Sequence, residues 1–424
     1  MKLPNTNLWQ ETLNHPFKGS KLNDDVQTDV IVIGGGYTGL SAALHIAQQG
    51  KSVCVLEAQT IGYGGSGRNV GYVNAGLWTP PDDVEELLGK ETGMHLNTLL
   101  AKGPDLVFDL IEKHQIQCSA TRKATLHYAD TASGLENLKS RYAQQVARNA
   151  PVHLLDRDEA VKRTGSDKVL GALMDMRAGT IQPLAYVQGL AKAAEAAGAK
   201  IFENTRAERM HRDNGKWVME TPSGRVTGNK LIQATNAYGV GDIDQNEFIP
   251  VNYFQMATAP LTMEQRAKIL PEGEGCWDCA DIMSSFRVDE DGRLLIGGLG
   301  DLENIGKGIH QAWAERKMAS LFPELAGLKF EHAWSGRISF TSDHLPKVVS
   351  IGENAVSIYG YSGRGISPGT VFGKCAADWA VNDNLDAFPI PITQKTREPM
   401  KKAKAAFYEM GAVLAHLISV RINS

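Results

Sequence analysis

Apolar positions along the chain gather into short runs and helical stripes that alternate with one another. Val30-Ile31-Val32-Ile33 is a run of buried-strand length, Leu40-Ser41-Ala42-Ala43-Leu44 begins a helix, and Ser52-Val53-Cys54-Val55-Leu56 is a second strand. Between Pro80 and Gln117, Leu87, Leu88, Leu96, Leu99, Leu100, Val107, Leu110 and Ile111 recur at helical spacing. Ala124 to Tyr128 then reads as a strand. Tyr186 to Ala191 opens an alanine-rich helix that leads to the strand Lys200-Ile201-Phe202, and Leu231-Ile232-Gln233-Ala234 is another. Phe254 to Leu261, Ser285 to Val288 and Arg293 to Gly298 read as antiparallel strands, and Ala355 to Tyr359 as a last strand before a helix.

This order predicts a mixed α/β chain with two interleaved lobes, one alternating strands with helices and the other built on an antiparallel sheet. The first lobe is expected at 27–78, 145–238 and 332–385, the second at 79–144 and 239–331, and a helical segment at 386–424. In that last segment Phe407, Met410, Val413, Leu414, Leu417 and Ile418 form an apolar stripe preceded by Lys401, Lys402 and Lys404. Packing on its own domain or on a partner subunit is the favoured reading, and peripheral contact with a lipid surface is the alternative.

The first apolar run passes into Gly34, Gly36 and Gly39, spaced G-x-G-x-x-G, with Tyr37 and Thr38 inside the spacing. Strand, tight turn and helix N-terminus in this order let the backbone approach a pyrophosphate while free helix amides face the phosphates. The second strand ends at Glu57-Ala58, where a carboxylate meets ribose hydroxyls. A dinucleotide is therefore the expected guest. A second glycine-rich loop, Gly62 to Gly71, follows at once and contains Gly65, Ser66, Gly67, Arg68 and Asn69, a feature that a nicotinamide site does not usually need.

A chain of 424 residues is long for one core, which agrees with two lobes. Lys and Arg number 44 against 48 Asp and Glu, a formal charge of −4 with no dense basic block, which argues against nucleic acid. Met1 to Asn5 carries no apolar signal core and no stretch of about 18 apolar residues offers a span, so a cytoplasmic protein without a transmembrane segment is expected. Five cysteines without a spaced framework fit a reducing compartment. Cys276-Trp277-Asp278-Cys279 lacks the further ligands that zinc requires; it is read as loop structure, and no metal is expected.

The Gly-Ser-Gly-Arg-Asn stretch at 65–69, Trp334-Ser335-Gly336-Arg337 with Thr341-Ser342-Asp343-His344-Leu345-Pro346, and the turn Gly360 to Gly369 together resemble the D-amino acid oxidase and glycine oxidase superfamily. The resemblance runs from about Gln27 to Trp379 and is strongest to the branch of γ-glutamylputrescine oxidases. It implies a Rossmann-like FAD-binding domain of the glutathione reductase-2 type interleaved with an antiparallel-sheet substrate domain. The implied FAD contacts are Gly34, Gly36, Tyr37, Thr38, Gly39, Glu57, Ala58, Gly65, Ser66, Gly67, Arg68, Asn69, Ala234, Gly363, Arg364, Gly365 and Ile366. The implied reaction removes a hydride equivalent from the carbon bearing an amine to flavin N5, leaving an imine that water hydrolyses, with O₂ or another acceptor reoxidising the flavin.

Amino acid-oxidising relatives carry a carboxylate-binding arginine two residues after the W-x-G glycine, a position held here by Ile338; the arginine is Arg337, one strand step away and on the opposite face. A substrate without an α-carboxylate is the favoured reading, and Arg337 binding from a shifted strand is the other. No lysine stands on Arg293-Leu294-Leu295-Ile296-Gly297, where sarcosine oxidase-like relatives activate O₂, so slow oxygen use is expected. No His lies between Gly62 and Trp78 and no Cys between Trp334 and Gly369, so the FAD is expected to be non-covalent. Tyr361 and Trp78 join Arg337 as substrate-pocket candidates, with Tyr72 and Phe254 as further walls; no general base is assigned, and His344 beside Asp343 is read as a turn. A D-amino acid or N-methylamino acid oxidase, a membrane-linked dehydrogenase, and an accessory or sensor flavoprotein that never turns over are the alternatives. Oligomeric state is left open.

Overall fold

The computed structural model describes residues 7–239, 247–303 and 306–418. Two large sheets organise them. In the first, Val26–Ile33 lies between Gly224–Gln233 and Val53–Leu56, all parallel, in the register Val32 to Ile232 on one side and Val32 to Val55 on the other. Ala355–Tyr359 and Lys200–Phe202 extend it in parallel at either side. Because side chains alternate across a strand, Val30 and Val32 enter the main core under the helices, and Ile31 and Ile33 enter a second core with Trp217 and Met219. Both faces are buried, which is why this strand reads as a continuous apolar run.

Tyr37–Gln48, Pro183–Ala196 and Ile366–Asn382 cover one face of this sheet. Gly373 lets the last of them approach the first closely, since a Cβ there would stand 2.5 Å from the Thr38 carbonyl oxygen. Leu8 and Trp9, on a short helix at Leu8–Glu11, are 1% exposed and sit in the same core.

The second sheet runs in the order Phe330–Phe340, Ile249–Pro260, Arg293–Leu299, Ser284–Val288, Gly275–Asp278, Thr125–Ala129, Gly171–Asp175 and Val152–Leu155. Its pairings are antiparallel except that between Gly275–Asp278 and Thr125–Ala129. Three expectations are corrected here. Val152–Leu155, Gly171–Asp175 and Phe330–Phe340 hydrogen-bond into this sheet and not into the nucleotide lobe, so the lobes cross over more often than sequence spacing suggests. Cys276 lies on a strand, fully buried, and not in a loop.

The third correction is the C-terminal helix, Lys401–Ile418. It packs through Ala405, Tyr408 and Ala412 on Ile249 and Val251, and through His416 on Trp313. Its predicted stripe faces outward instead, with Phe407 73%, Met410 64% and Leu414 55% exposed. Small residues permit the close helix–sheet approach, and a period of 3.6 puts the large apolar ones on the far side. Among the described residues no helix is long and apolar enough to cross a membrane.

Candidate functional site

A cavity of about 1030 Å³ runs between the two sheets from Gly34 and Glu57 to Tyr72 and Trp277. Two helix N-termini open into it, those of Tyr37–Gln48 and Ile366–Asn382, each with a glycine at the cap position that supplies no side-chain cap of its own. Their free amides and positive dipole ends suit phosphate or other anionic oxygen. The glycines of the first turn are sterically required. Gly34 has φ +107°, and a Cβ on Gly39 would lie 2.0 Å from the Gly34 carbonyl oxygen. Gly36 leaves the cradle open, with the Ser66 hydroxyl accepting from the Tyr37 amide at 3.2 Å.

Glu57 accepts from the Gly35 amide at 2.7 Å and from the Gln59 amide at 2.9 Å, and burial raises its carboxyl above the ordinary value. Its remaining lone pairs line the cavity beside Ala58, as ribose hydroxyls require. Ala234 supplies the carbonyl against which Gly34 packs. On the opposite wall Gln255 is 1% exposed, and neither atom of its amide has a partner. An orphaned amide on a cavity wall calls for a ligand with both donor and acceptor edges. The cavity lies at the top of the range of about 300–1,000 Å³ found for ligand pockets, as an extended cofactor requires. The residues present therefore fit FAD.

Arg68 and Asn69 line the cavity but turn their donors onto the protein. Asn69 donates to the Gly65 and Ser66 carbonyls and to the Tyr37 hydroxyl, while Arg68 donates to the Tyr63 and Ser335 carbonyls. They shape the loop that they were expected to serve as ligand donors. Gly65 and Gly67 bend it, and outside residues clamp it. Asn7 donates to the Gly67 carbonyl at 2.9 Å, Trp9 to that of Asn69 at 2.9 Å, and Trp334 to that of Arg68 at 2.9 Å. The Trp9 clamp was missed because a lone tryptophan ahead of the first strand carries no motif. Tyr37 is buried with its hydroxyl donating to the Ser66 carbonyl and its amide to the Ser66 hydroxyl, so it ties the first helix to the second glycine loop. Thr38 and Tyr361 share a 2.7 Å hydroxyl contact that ties the first helix to the turn at Gly363, Arg364, Gly365 and Ile366. Tyr361 borders the cavity with its hydroxyl already engaged.

Beyond these turns the wall is aromatic. Tyr72, Trp277, His127 and Trp78 follow one another with ring centroids 5.9, 5.3 and 6.0 Å apart. Burial, with the charges of Arg141 and Arg364, holds the His127 imidazole well below its ordinary value, so it is neutral at neutral pH. Cys279 lies 3.3 Å from His127, and burial pushes its thiol up to about 12, so the two form no thiolate–imidazolium pair. Among the described residues no group of three metal-ligating side chains occurs.

Phe254 is not a wall. It is fully buried among His310, Trp313 and His416, because its strand position points away from the cavity while Tyr253 and Gln255 point into it. Arg337 is exposed, 6.0 Å over the Tyr238 ring, with its amide donating to the Tyr238 hydroxyl. His344 and Asp343 do not pair; Asp343 binds Lys347, and burial lowers His344. Trp277, named only within the Cys276–Cys279 stretch, Gln255 and Arg141 were not read as site residues because they come from separate strands and a helix that only the fold assembles.

Residues 29–379 match the family model described as DAO, FAD dependent oxidoreductase. The chain is 32% identical to a probable oxidoreductase OrdL of Rhizobium meliloti (strain 1021), over 85% of this chain and 84% of that protein. It is 30% identical to the γ-glutamylputrescine oxidoreductase of Escherichia coli (strain K12), over 92% and 94%. Glycine oxidase from Geobacillus kaustophilus shares the fold, with a TM-score of 0.68 at 21% identity over 84% of this chain and 95% of that one.

Proposed function

Because the chain belongs to the DAO family of FAD-dependent oxidoreductases, we propose that it oxidises a C–N bond in an extended amine of the polyamine or γ-glutamyl-polyamine kind. FAD, when bound, supplies acceptance of a hydride equivalent from the carbon that bears the amine. The glycine turns, Glu57 and the two helix N-termini would hold it, and the absence of a His or Cys in the sequence intervals named above supports dissociable binding. The observation that carries the substrate reading is the Tyr72–Trp277–His127–Trp78 row, whose faces suit an extended polymethylene chain. A neutral amine is the reactive form. The apolar, aromatic wall of the cavity disfavours ammonium at the reacting end, so the amine is presented unprotonated without a dedicated base. The imine product is released to water, which hydrolyses it to carbonyl and amine.

The similarity to the E. coli γ-glutamylputrescine oxidoreductase supports the same class. Among the described residues no lysine lines the cavity, which favours slow reaction with O₂ and a quinone or protein as acceptor. A cytoplasmic setting suits such a substrate.

Anaerobic mixing of the flavoprotein with γ-glutamylputrescine, free polyamines, sarcosine and D- and L-amino acids tests the reading. Bleaching by the polyamine compounds is expected, and bleaching by amino acids alone would overturn it. Trp78→Ala should raise KM for the bleaching amine about 3- to 30-fold while flavin content per protein stays constant, measured by absorbance.

A further inference from the structure

A second cavity of about 610 Å³ adjoins the first, and both are lined by Asn74, His127, Arg141, Trp277 and Arg364. Around this shared wall the carboxylates are already committed. Asp175 grips Arg177 with two parallel bonds, at 2.9 and 2.7 Å, and Asp82 and Glu85 both bind Arg148. Arg141 and Arg364 have no carboxylate partner among the described residues. Arg141 donates Nε to Asn137 at 2.8 Å and Nη1 to the Trp78 carbonyl at 3.0 Å, with its guanidinium 5.6 Å from the Trp78 ring centre. Arg364 donates Nη1 to the Ala75 carbonyl at 2.8 Å and stands 5.4 Å from the Trp277 ring centre. Each retains an Nη2 group that makes no hydrogen bond among the described residues.

Two guanidinium ions on one cavity wall, with no carboxylate between them, are mutually destabilising unless an anion binds there. Burial and, after it, the Arg141 charge pull Arg364 down to about 10. The remedy that matches guanidinium geometry is a carboxylate held through several N–H donors. We infer that Arg141 and Arg364 form the subsite for a substrate carboxylate placed at the end of the molecule remote from the oxidised C–N bond. The substrate class is then an amine joined through an aliphatic spacer, lying on the aromatic row, to a carboxylate-bearing end. This rests on the amine-oxidoreductase reading for the spacer and the reacting end, whereas the anion site stands on the two arginines alone. It also places carboxylate recognition away from Arg337, which is exposed and solvated at the cavity rim.

The test uses the holoenzyme, Arg141→Met and Arg141→Lys, with flavin content measured for each. γ-Glutamylputrescine is compared with N-(4-aminobutanoyl)putrescine, the same molecule without its carboxylate. The ratio of kcat/KM for the two should fall about 10- to 100-fold in Arg141→Met, and Arg141→Lys should restore part of it. An unchanged ratio overturns the inference. Glutarate binding, followed by perturbation of the flavin spectrum, separates this from the amine reading. If neither amine reacts but glutarate binds wild type at least tenfold more tightly than Arg141→Met, the amine reading fails and the anion site stands. Equal glutarate binding by both, or none by wild type at millimolar concentration, overturns the site.

Discussion

At the scale of the residue, the cofactor end of the site is a matter of missing atoms. Gly39 faces the Gly34 carbonyl so closely that one methyl group cannot enter without moving backbone, and Gly39→Ala should cost about 3 kcal/mol or more and release the flavin. The flavin absorbance per mole of folded protein measures it. Arg337 is the opposite case. Its side chain is exposed, so Arg337→Met should leave KM for a simple amine nearly intact, and a large rise in steady-state kinetics would return it to the substrate site. Spacing made the glycines and Glu57 legible in the sequence, because sterics and a ribose contact tie residue type to position over about twenty residues. Nothing comparable marks Gln255, Arg141 or Trp277. Their meaning lies in an unpartnered amide, a charge brought to the cavity wall or stacking across strands, and none of these exists until the chain has folded.

At the scale of the element, the C-terminal helix corrects a simple rule. An apolar stripe is ordinarily the buried one, yet here Ala405, Ala412 and His416 go inward and Phe407, Met410 and Leu414 outward. Periodicity gave the helix and its two faces but could not say which face the sheet would take. Phe407→Ser with Leu414→Ser should therefore shift stability by no more than about 0.5 kcal/mol per substitution, read from denaturant midpoints. The inward face has a different sensitivity. His416 and His310 share a proton between Nδ1 atoms 2.8 Å apart, stacked with Trp313 and Phe254. Burial lowers His310 to about 4, and burial with the charges of His310, Arg316 and Lys317 lowers His416 to about 3. The native form thus binds fewer protons than the unfolded one below about pH 6.5. Stability from this pair is complete above that pH and declines as pH falls toward 4, by on the order of 3 kcal/mol for each histidine. Urea midpoints between pH 7 and 4.5 should fall for the wild type and fall less steeply for His416→Gln.

At the scale of the whole molecule, strand order in the sequence conveyed two lobes and a parallel nucleotide sheet, and both are present. The exchange of Val152–Leu155, Gly171–Asp175 and Phe330–Phe340 into the other sheet was hidden, because short strands of similar composition pair according to their neighbours and not their own pattern. The two helix N-termini at the cavity begin at Tyr37 and Ile366, more than three hundred residues apart, with a complete second sheet between them. A fragment ending at residue 238 therefore has the fingerprint glycines but half the cradle, and it should retain no flavin on gel filtration. The same separation dictates timing on the ribosome. The glycine fingerprint emerges early, yet the second half of the cradle exists only after the closing helix has left the exit tunnel, so the nascent chain exposes its fingerprint glycines long before it can enclose a flavin.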